Sequence, residues 1–212
     1  MRRRERETER ESLTVVAPPP PSYCEQAEEL AAKKKKACIK EGGKKGQDIA
    51  GVNDMGGLEF FCMSIDAPEG DYEYLKLVLE GANAHVEEGS EERKGGSAHV
   101  GKCLYSSGLD RLAITTYVPE ELLAKINPLQ WMEHILKETA GDNGVVAETS
   151  TTTVYAYVMQ NPEKNLFSLK MKDVVPSMAI NYLRERQCFP EDDGDDSDDD
   201  MIFGDDTDFD AL

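Results

Sequence analysis

The histidines and cysteines of this sequence are the residues whose type and spacing could support nucleophilic catalysis or metal binding. His99 and Cys103 lie four residues apart in a predicted strand, so both would point to one face of a sheet. A thiol beside an imidazole can act as a nucleophile, and His85 and His134 could complete a zinc site. Structural zinc sites usually draw paired ligands from short C-x-x-C loops, and the five scattered cysteines contain no such pair. The sequence therefore favours buried thiols and surface imidazoles, and predicts no metal.

Motifs of the common enzyme classes are missing as well. The sequence contains no G-x-G-x-x-G, no G-x-x-x-x-G-K-[ST], no H-E-x-x-H and no G-x-S-x-G. These are the patterns that bind dinucleotides or nucleotides, hold a catalytic zinc ion, or present a nucleophilic serine. We therefore predict no catalytic residue, no cofactor and no small-molecule substrate, and the enzyme interpretation is disfavoured.

Charge is distributed unevenly along the chain, whose net charge is −18. Residues 1–22 hold five arginines and four glutamates, whereas residues 191–212 hold twelve acids and no base. Because blocks of charged residues cannot bury enough apolar surface to fold, both ends are predicted to be disordered. The first is a basic, proline-rich arm, and the second is an acidic tail.

A basic helix is predicted over residues 23–46, which are rich in Ala, Glu, Leu and Lys. Gly42-Gly43 is expected to end this helix, which would project from the domain as a linker or lean on it lightly. Its lysines either bind nucleic-acid phosphates or form a solvated helix face, and both interpretations stay open. The lysines are Lys33, Lys34, Lys35, Lys36, Lys40, Lys44 and Lys45.

The globular part is predicted over residues 56–190. Asp71 caps a helix, Ser107-Gly108 turns a hairpin, and Asn127-Pro128 starts the helix that contains Trp131, the only tryptophan. Asp173 is predicted to cap the last helix. The order of elements favours an α/β domain of the two-layer α+β type, with helices packed on one face of a mixed β-sheet.

Two stretches carry a family resemblance. "GLEFFCMSIDAPEGDYEYLKLVLEGA" and "GKCLYSSGLDRLAITTYVPEELLAKINPLQWMEHILKETAGDNG" resemble the C-terminal domain of alanyl-tRNA synthetases, the DHH-associated domain called C-Ala. In this comparison "ELAAKKKKACIKEGG" is similar to the family's lysine-containing helical linker. The resemblance implies an accessory module, free-standing or a fragment of a synthetase, that binds the outer corner of tRNA.

The sequence departs from that family at its glycine-rich loop. Members carry a run of glycines that brings the backbone near nucleic acid, and this chain keeps Gly141 and Gly144 in "TAGDNGVVAETSTTTVYAYV". These two glycines join the lysines as candidate nucleic-acid-binding residues. The shortened loop and the acidic body argue against the family's tRNA binding.

The acidic tail carries a second resemblance. "SDDDMIFG" resembles the end of the acidic ribosomal stalk P-proteins, whose tails recruit translation factors, although Ile202 stands where those tails have glycine. Apolar residues among aspartates are typical of segments that fold into a partner's groove. The tail is therefore either a plain solubilising segment or a motif that docks to a protein with a basic groove. The docking residues would be Met201, Ile202, Phe203, Phe209 and Leu212.

Two functions are consistent with the sequence. One is a non-catalytic, translation-associated module that binds tRNA; the alternative is a protein adaptor that has lost RNA binding and docks basic partners through its tail. No run of about 18 apolar residues, the length of a membrane span, occurs. Together with the scattered cysteines, which suit a reducing compartment, this predicts a cytoplasmic protein without a membrane partner.

Overall fold

The computed structural model describes residues 23–85 and 95–188, which form four α-helices, three short 3-10 helices and one five-stranded sheet. The sheet has the order β1-β2-β3-β5-β4; β1 pairs with β2 in parallel, and the other pairs are antiparallel. The predicted α+β class with a mixed sheet is thereby confirmed. The elements are α1 (Tyr23–Gly56), β1 (Phe60–Ser64), α2 (Tyr72–Asn83), β2 (Gly101–Ser107), β3 (Arg111–Tyr117), α3 (Pro128–Ala140), β4 (Gly144–Thr149), β5 (Thr153–Met159) and α4 (Ser168–Glu185).

Helices cover both faces of this sheet, so the prediction that they pack on one face is wrong. Along β2, Cys103 belongs to the hydrophobic cluster under α3 and α4, whereas Leu104 belongs to the cluster under α2. Neighbouring residues of a strand point to opposite faces, and both of these side chains are buried. The structure therefore has an α1–α2 layer on one side of the sheet and an α3–α4 layer on the other.

Helix α1 is longer than its sequence predicts. It continues through Gly42-Gly43 to Gly56, a length of 34 residues, so the predicted stop is wrong. A Cβ atom at Gly42 would overlap the carbonyl oxygen of Val78, and one at Gly81 would overlap that of Ile39. The glycines thus let the backbones of α1 and α2 come into contact. This packing offsets the low helix propensity of glycine, which costs about 1 kcal/mol per residue relative to alanine.

The α3–α4 layer is packed with large side chains. Trp131 is fully buried, meets the Phe60 ring edge-on at 5.8 Å between ring centroids, and donates its indole N–H to the Ala179 carbonyl at 3.1 Å. The indole lies between α3, α4 and β1. It contributes buried apolar area as well as a satisfied polar group.

Two helix starts agree with the sequence and one does not. The Asp71 side chain accepts the Glu73 N–H at the start of α2, and Asn127 Oδ1 accepts the Leu129 N–H at the start of α3. Helix α4, by contrast, begins at Ser168, and Asp173 and Pro176 lie inside it. The predicted cap at Asp173 is therefore wrong, and proline occupies an interior position where it lacks the usual N–H donor.

Candidate nucleic-acid interface

Four of the predicted lysines form a row along the outer side of α1, which we call the lysine stripe: Lys33, Lys36, Lys40 and Lys44. At about 100° per residue in an α-helix, these positions fall within about 80° of one another. All four side chains are exposed. The stripe is about 16 Å long, because eleven steps of 1.5 Å separate its ends.

The opposite side of α1 is buried against α2. Cys38, Gly42, Gly46 and Ile49 line it, and each is buried. A Cβ atom at Gly46 would overlap the carbonyl oxygen of Ala82, so the two helices are in backbone contact here as well. The lysine stripe is therefore displayed on a helix whose orientation is fixed by close packing, which reduces the cost of presenting several charges together.

Most lysines of the stripe have no carboxylate partner among the described residues. Lys33 pairs with Glu29 at 2.7 Å, whereas no carboxylate among the described residues pairs with Lys36, Lys40 or Lys44. Glu41, the one acid within residues 33–45, accepts the Ala67 N–H at 3.1 Å instead. The positive charge of the stripe is therefore largely free to meet an anion from outside.

The remaining predicted lysines of α1 lie off the stripe. Lys34 is half-buried, forms an ion pair with Glu69 at 2.5 Å and lies over the Tyr74 ring. Lys45 is also half-buried, and Lys35 is exposed but lies outside the stripe's sector. Lys34 thus ties α1 to the segment between β1 and α2, so the predicted lysine set divides into a structural part and an exposed part.

Gly141 and Gly144 are not part of this surface. Gly141 ends α3 with a positive φ of 58°, and Gly144 begins β4, where a Cβ atom would press on the Leu136 side chain. Both belong to the α3–α4 side, whereas the lysines belong to the α1–α2 side. The structure does not bring the two predicted sets together, and close packing explains Gly144 without a ligand.

The predicted docking residues of the tail, Met201, Ile202, Phe203, Phe209 and Leu212, lie outside the described residues. So do the arm, residues 1–22, and the acidic residues from Glu191 onward. Their predicted roles stay predictions.

His99 and Cys103 do not form a thiol–imidazole pair. His99 lies in the turn before β2, and its Nε2 atom is 3.0 Å from Asn53 Oδ1 of α1. Cys103 is fully buried, and the neighbouring Cys62 thiol together with burial raises the pKa of Cys103 well above its usual value. Such a thiol is a poor nucleophile. Within residues 23–85 and 95–188, no three His, Cys, Asp or Glu side chains cluster as metal ligands would.

Lys102 is a buried charge that sequence reasoning missed. Its ammonium donates to Asn83 Oδ1 at 2.5 Å, to the Ser97 carbonyl at 2.6 Å and to Ser97 Oγ at 2.9 Å, and it lies 4.9 Å from the Tyr117 ring centroid. Burial lowers the pKa of Lys102 to about 7. The three acceptors satisfy its N–H donors, so this side chain connects the segment before β2 to the end of α2.

The segment before Lys102 shares the first part of a phosphate-loop pattern. Residues 96–102 read G-x-x-x-x-G-K, but cysteine follows where that motif has serine or threonine. The motif also needs a helix after its loop, whereas this loop leads into strand β2. The buried Lys102 ammonium moreover already donates hydrogen bonds to Ser97 and Asn83. The segment is therefore a structural loop.

A cleft of about 700 Å³ lies between the β2–β3 turn and the start of α4. Leu109, Phe167 and Leu169 provide apolar walls, and Glu69 and Asp110 lie at the same opening. Carboxylates repel phosphate, and apolar side chains offer it no hydrogen bond or charge. The cleft is thus chemically unlike the lysine stripe and does not extend it.

No protein-family model matches the chain, and no curated protein matches its sequence. The resemblance to the synthetase C-terminal domain therefore stays a prediction, and the function has to be argued from the residues. Within the described ranges, no helix combines the length and apolarity needed to cross a membrane.

Proposed function

We propose that this protein is a non-catalytic accessory module that binds the phosphate backbone of tRNA or a similarly folded RNA through the lysine stripe. The observation that supports this proposal is the row of exposed ammonium groups at Lys36, Lys40 and Lys44, which have no carboxylate partner among the described residues. We place this activity in the cytoplasm, as the scattered cysteines predict.

Lysine side chains define what kind of binding to expect. An ammonium is a compact point charge that contacts phosphate without reading the edges of bases. Binding should therefore be independent of sequence and weak, with a Kd of roughly 1–100 μM at physiological salt. The negative charge of the rest of the body opposes it only at short range, because the Debye length is about 8 Å under those conditions.

Labelled tRNA titrated with the full chain and followed by fluorescence anisotropy tests this proposal. Glutamine at all four stripe positions should weaken binding about 100-fold, since four phosphate contacts are lost. The control variant carries glutamine at four other exposed lysines, Lys125, Lys137, Lys164 and Lys170. Both variants change the net charge equally, so only the stripe variant should lose affinity.

Two outcomes would contradict the proposal. Equal weakening by both variants would mean that overall charge, and not the stripe, sets the affinity. Absence of binding by the unmodified chain, even at low salt, would favour the alternative function, an adaptor that captures basic proteins through its acidic tail.

A further inference from the structure

The described part of the chain ends beside the C-terminal end of α1. Gln187 and Cys188, the last described residues, line one shallow surface cavity together with Gly56 and Gly57. The acidic tail starts only three residues later, at Glu191. Three residues span at most about 10 Å, so Glu191 stays within that distance of Cys188, which lines the same cavity as the end of the helix that carries the lysine stripe.

Distances along α1 can be compared with the reach of the tail. With a rise of about 1.5 Å per residue, Lys44 lies about 18 Å and Lys33 about 35 Å from Gly56 along the helix axis. An extended chain covers about 3.3 Å per residue, so Asp195 to Asp200 lie at most about 23–40 Å from Cys188. The two intervals overlap, so residues 195–200, which we call the acidic run, are long enough in reach to meet the stripe when the tail turns back along α1.

Charge is complementary over the same interval. Residues 195–200 hold five acids and no base, whereas residues 201–212 hold four acids mixed with apolar side chains. The stripe offers one ammonium about every 4.5–6 Å along the helix. Screening limits attraction to about 8 Å at physiological salt, so the densely charged residues 195–200 should contact the stripe in preference to the sparser acids of residues 201–212.

We propose that the acidic run, residues 195–200, occupies the lysine stripe of the same molecule and competes there with RNA. This inference rests on the proposed function, because the stripe is the same surface. A tethered segment has an effective concentration of about 1 mM. If its affinity is about 0.1 mM, the weak end of non-specific polyanion binding, RNA binding is weakened about tenfold.

Carbodiimide cross-linking of the full chain without RNA tests the contact itself. This reagent joins a carboxylate to an amine only when the two are in contact, and mass spectrometry identifies the joined residues. Within single molecules, we expect Lys36, Lys40 and Lys44 to be joined to acids between Asp195 and Asp200. The exposed lysines of the other face, Lys137, Lys164 and Lys170, serve as internal controls.

Two matched full-length variants test the competition. One carries asparagine at the near acids Asp195, Asp196, Asp198 and Asp199, and the other carries it at the far acids Asp205, Asp206, Asp208 and Asp210. Each variant removes four negative charges. We expect the near variant to bind tRNA about five- to tenfold more tightly than the unmodified chain, and the far variant to bind less than about threefold more tightly.

Cross-links confined to the stripe, formed within one molecule, support the inference, and so does a larger effect of the near variant. Equal cross-linking to the control lysines, cross-links only between two copies, or equal effects of the two variants would overturn it. If stripe cross-links form but no variant binds RNA, the proposed function fails and the tail contact stands. If RNA binds the stripe but no stripe cross-link forms, the tail contact fails alone.

Discussion

The two helical layers of this protein are stabilised in opposite ways. On the α3–α4 side, large buried groups such as Trp131, Met132 and Ile135 fill the space between helix and sheet. On the α1–α2 side, Gly42, Gly46 and Gly81 remove side chains so that two helix backbones touch. The first layer should therefore be sensitive to the loss of atoms and the second to their addition. The lysine stripe lies on the second layer.

Truncation in the α3–α4 layer should have the largest effect on stability. Trp131→Ala removes the most bulky buried side chain and should lower the free energy of unfolding by about 3–5 kcal/mol. Urea unfolding followed by circular dichroism measures this, because the variant has no tryptophan fluorescence. Trp131→Phe, which loses the hydrogen bond to Ala179 and part of the buried ring volume, should cost about 1–2 kcal/mol. Equal costs would show that the ring is not closely packed.

Lys102 sharpens the comparison, because the α1–α2 layer also depends on the buried hydrogen bonds that this side chain donates to Asn83 and Ser97. Lys102→Met should lower the free energy of unfolding by about 1–3 kcal/mol, since Asn83 and Ser97 lose their donor. The cost should grow with pH. Lys102 has a pKa of about 7 in the folded protein and of about 10.4 in the unfolded chain. Between these two pH values, the unfolded chain binds more protons at this residue than the folded protein does.

The stability of the unmodified protein relative to Lys102→Met should therefore rise across that window, by at most about 1.4 kcal/mol per pH unit. Urea unfolding of both proteins at several pH values measures the difference, in which other titrating groups cancel. Lys137→Met, at an exposed position, should show no such trend. A flat difference would mean that Lys102 keeps its usual pKa in the fold.

Addition of one methyl group tests the α1–α2 layer. Gly42→Ala should lower the free energy of unfolding by about 1–2 kcal/mol, because overlap with Val78 outweighs the better helix propensity. Gly51→Ala, in the same helix but with no atom near its Cβ position, should instead raise it by about 0.5–1 kcal/mol. Thermal unfolding of the two variants distinguishes them. If both were stabilising, the helices would not be in backbone contact.

Local signals explain what the sequence predicted correctly. The starts of α2 and α3 depend on Asp71 and Asn127, which act on residues two positions away, and the β2–β3 hairpin turns where Ser107-Gly108 predicts it. The length of α1 depends instead on α2, which is distant in sequence. Glycine normally ends a helix, and only the tertiary contact at Val78 shows why Gly42 does not.

In the candidate site, too, local sequence predicted some features, whereas others depend on tertiary contacts. Lysine content identified α1 as a phosphate-binding candidate, but no sequence pattern separates Lys34, which pairs with Glu69, from Lys36 and Lys40. The burial of Lys102 was also not predictable, because its acceptors come from the end of α2 and the loop before β2. Helix periodicity assigns faces only once the buried face is known.

The salt dependence of tRNA binding tests the central claim most directly. Four lysine contacts predict that log K falls against log salt with a slope of roughly −3 to −4. Glutamine at the four stripe positions should bring that slope close to zero, whereas glutamine at Lys125, Lys137, Lys164 and Lys170 should leave it unchanged. A slope that the stripe variant keeps, or that the control variant loses to the same extent, would contradict the assignment of RNA binding to this face of α1.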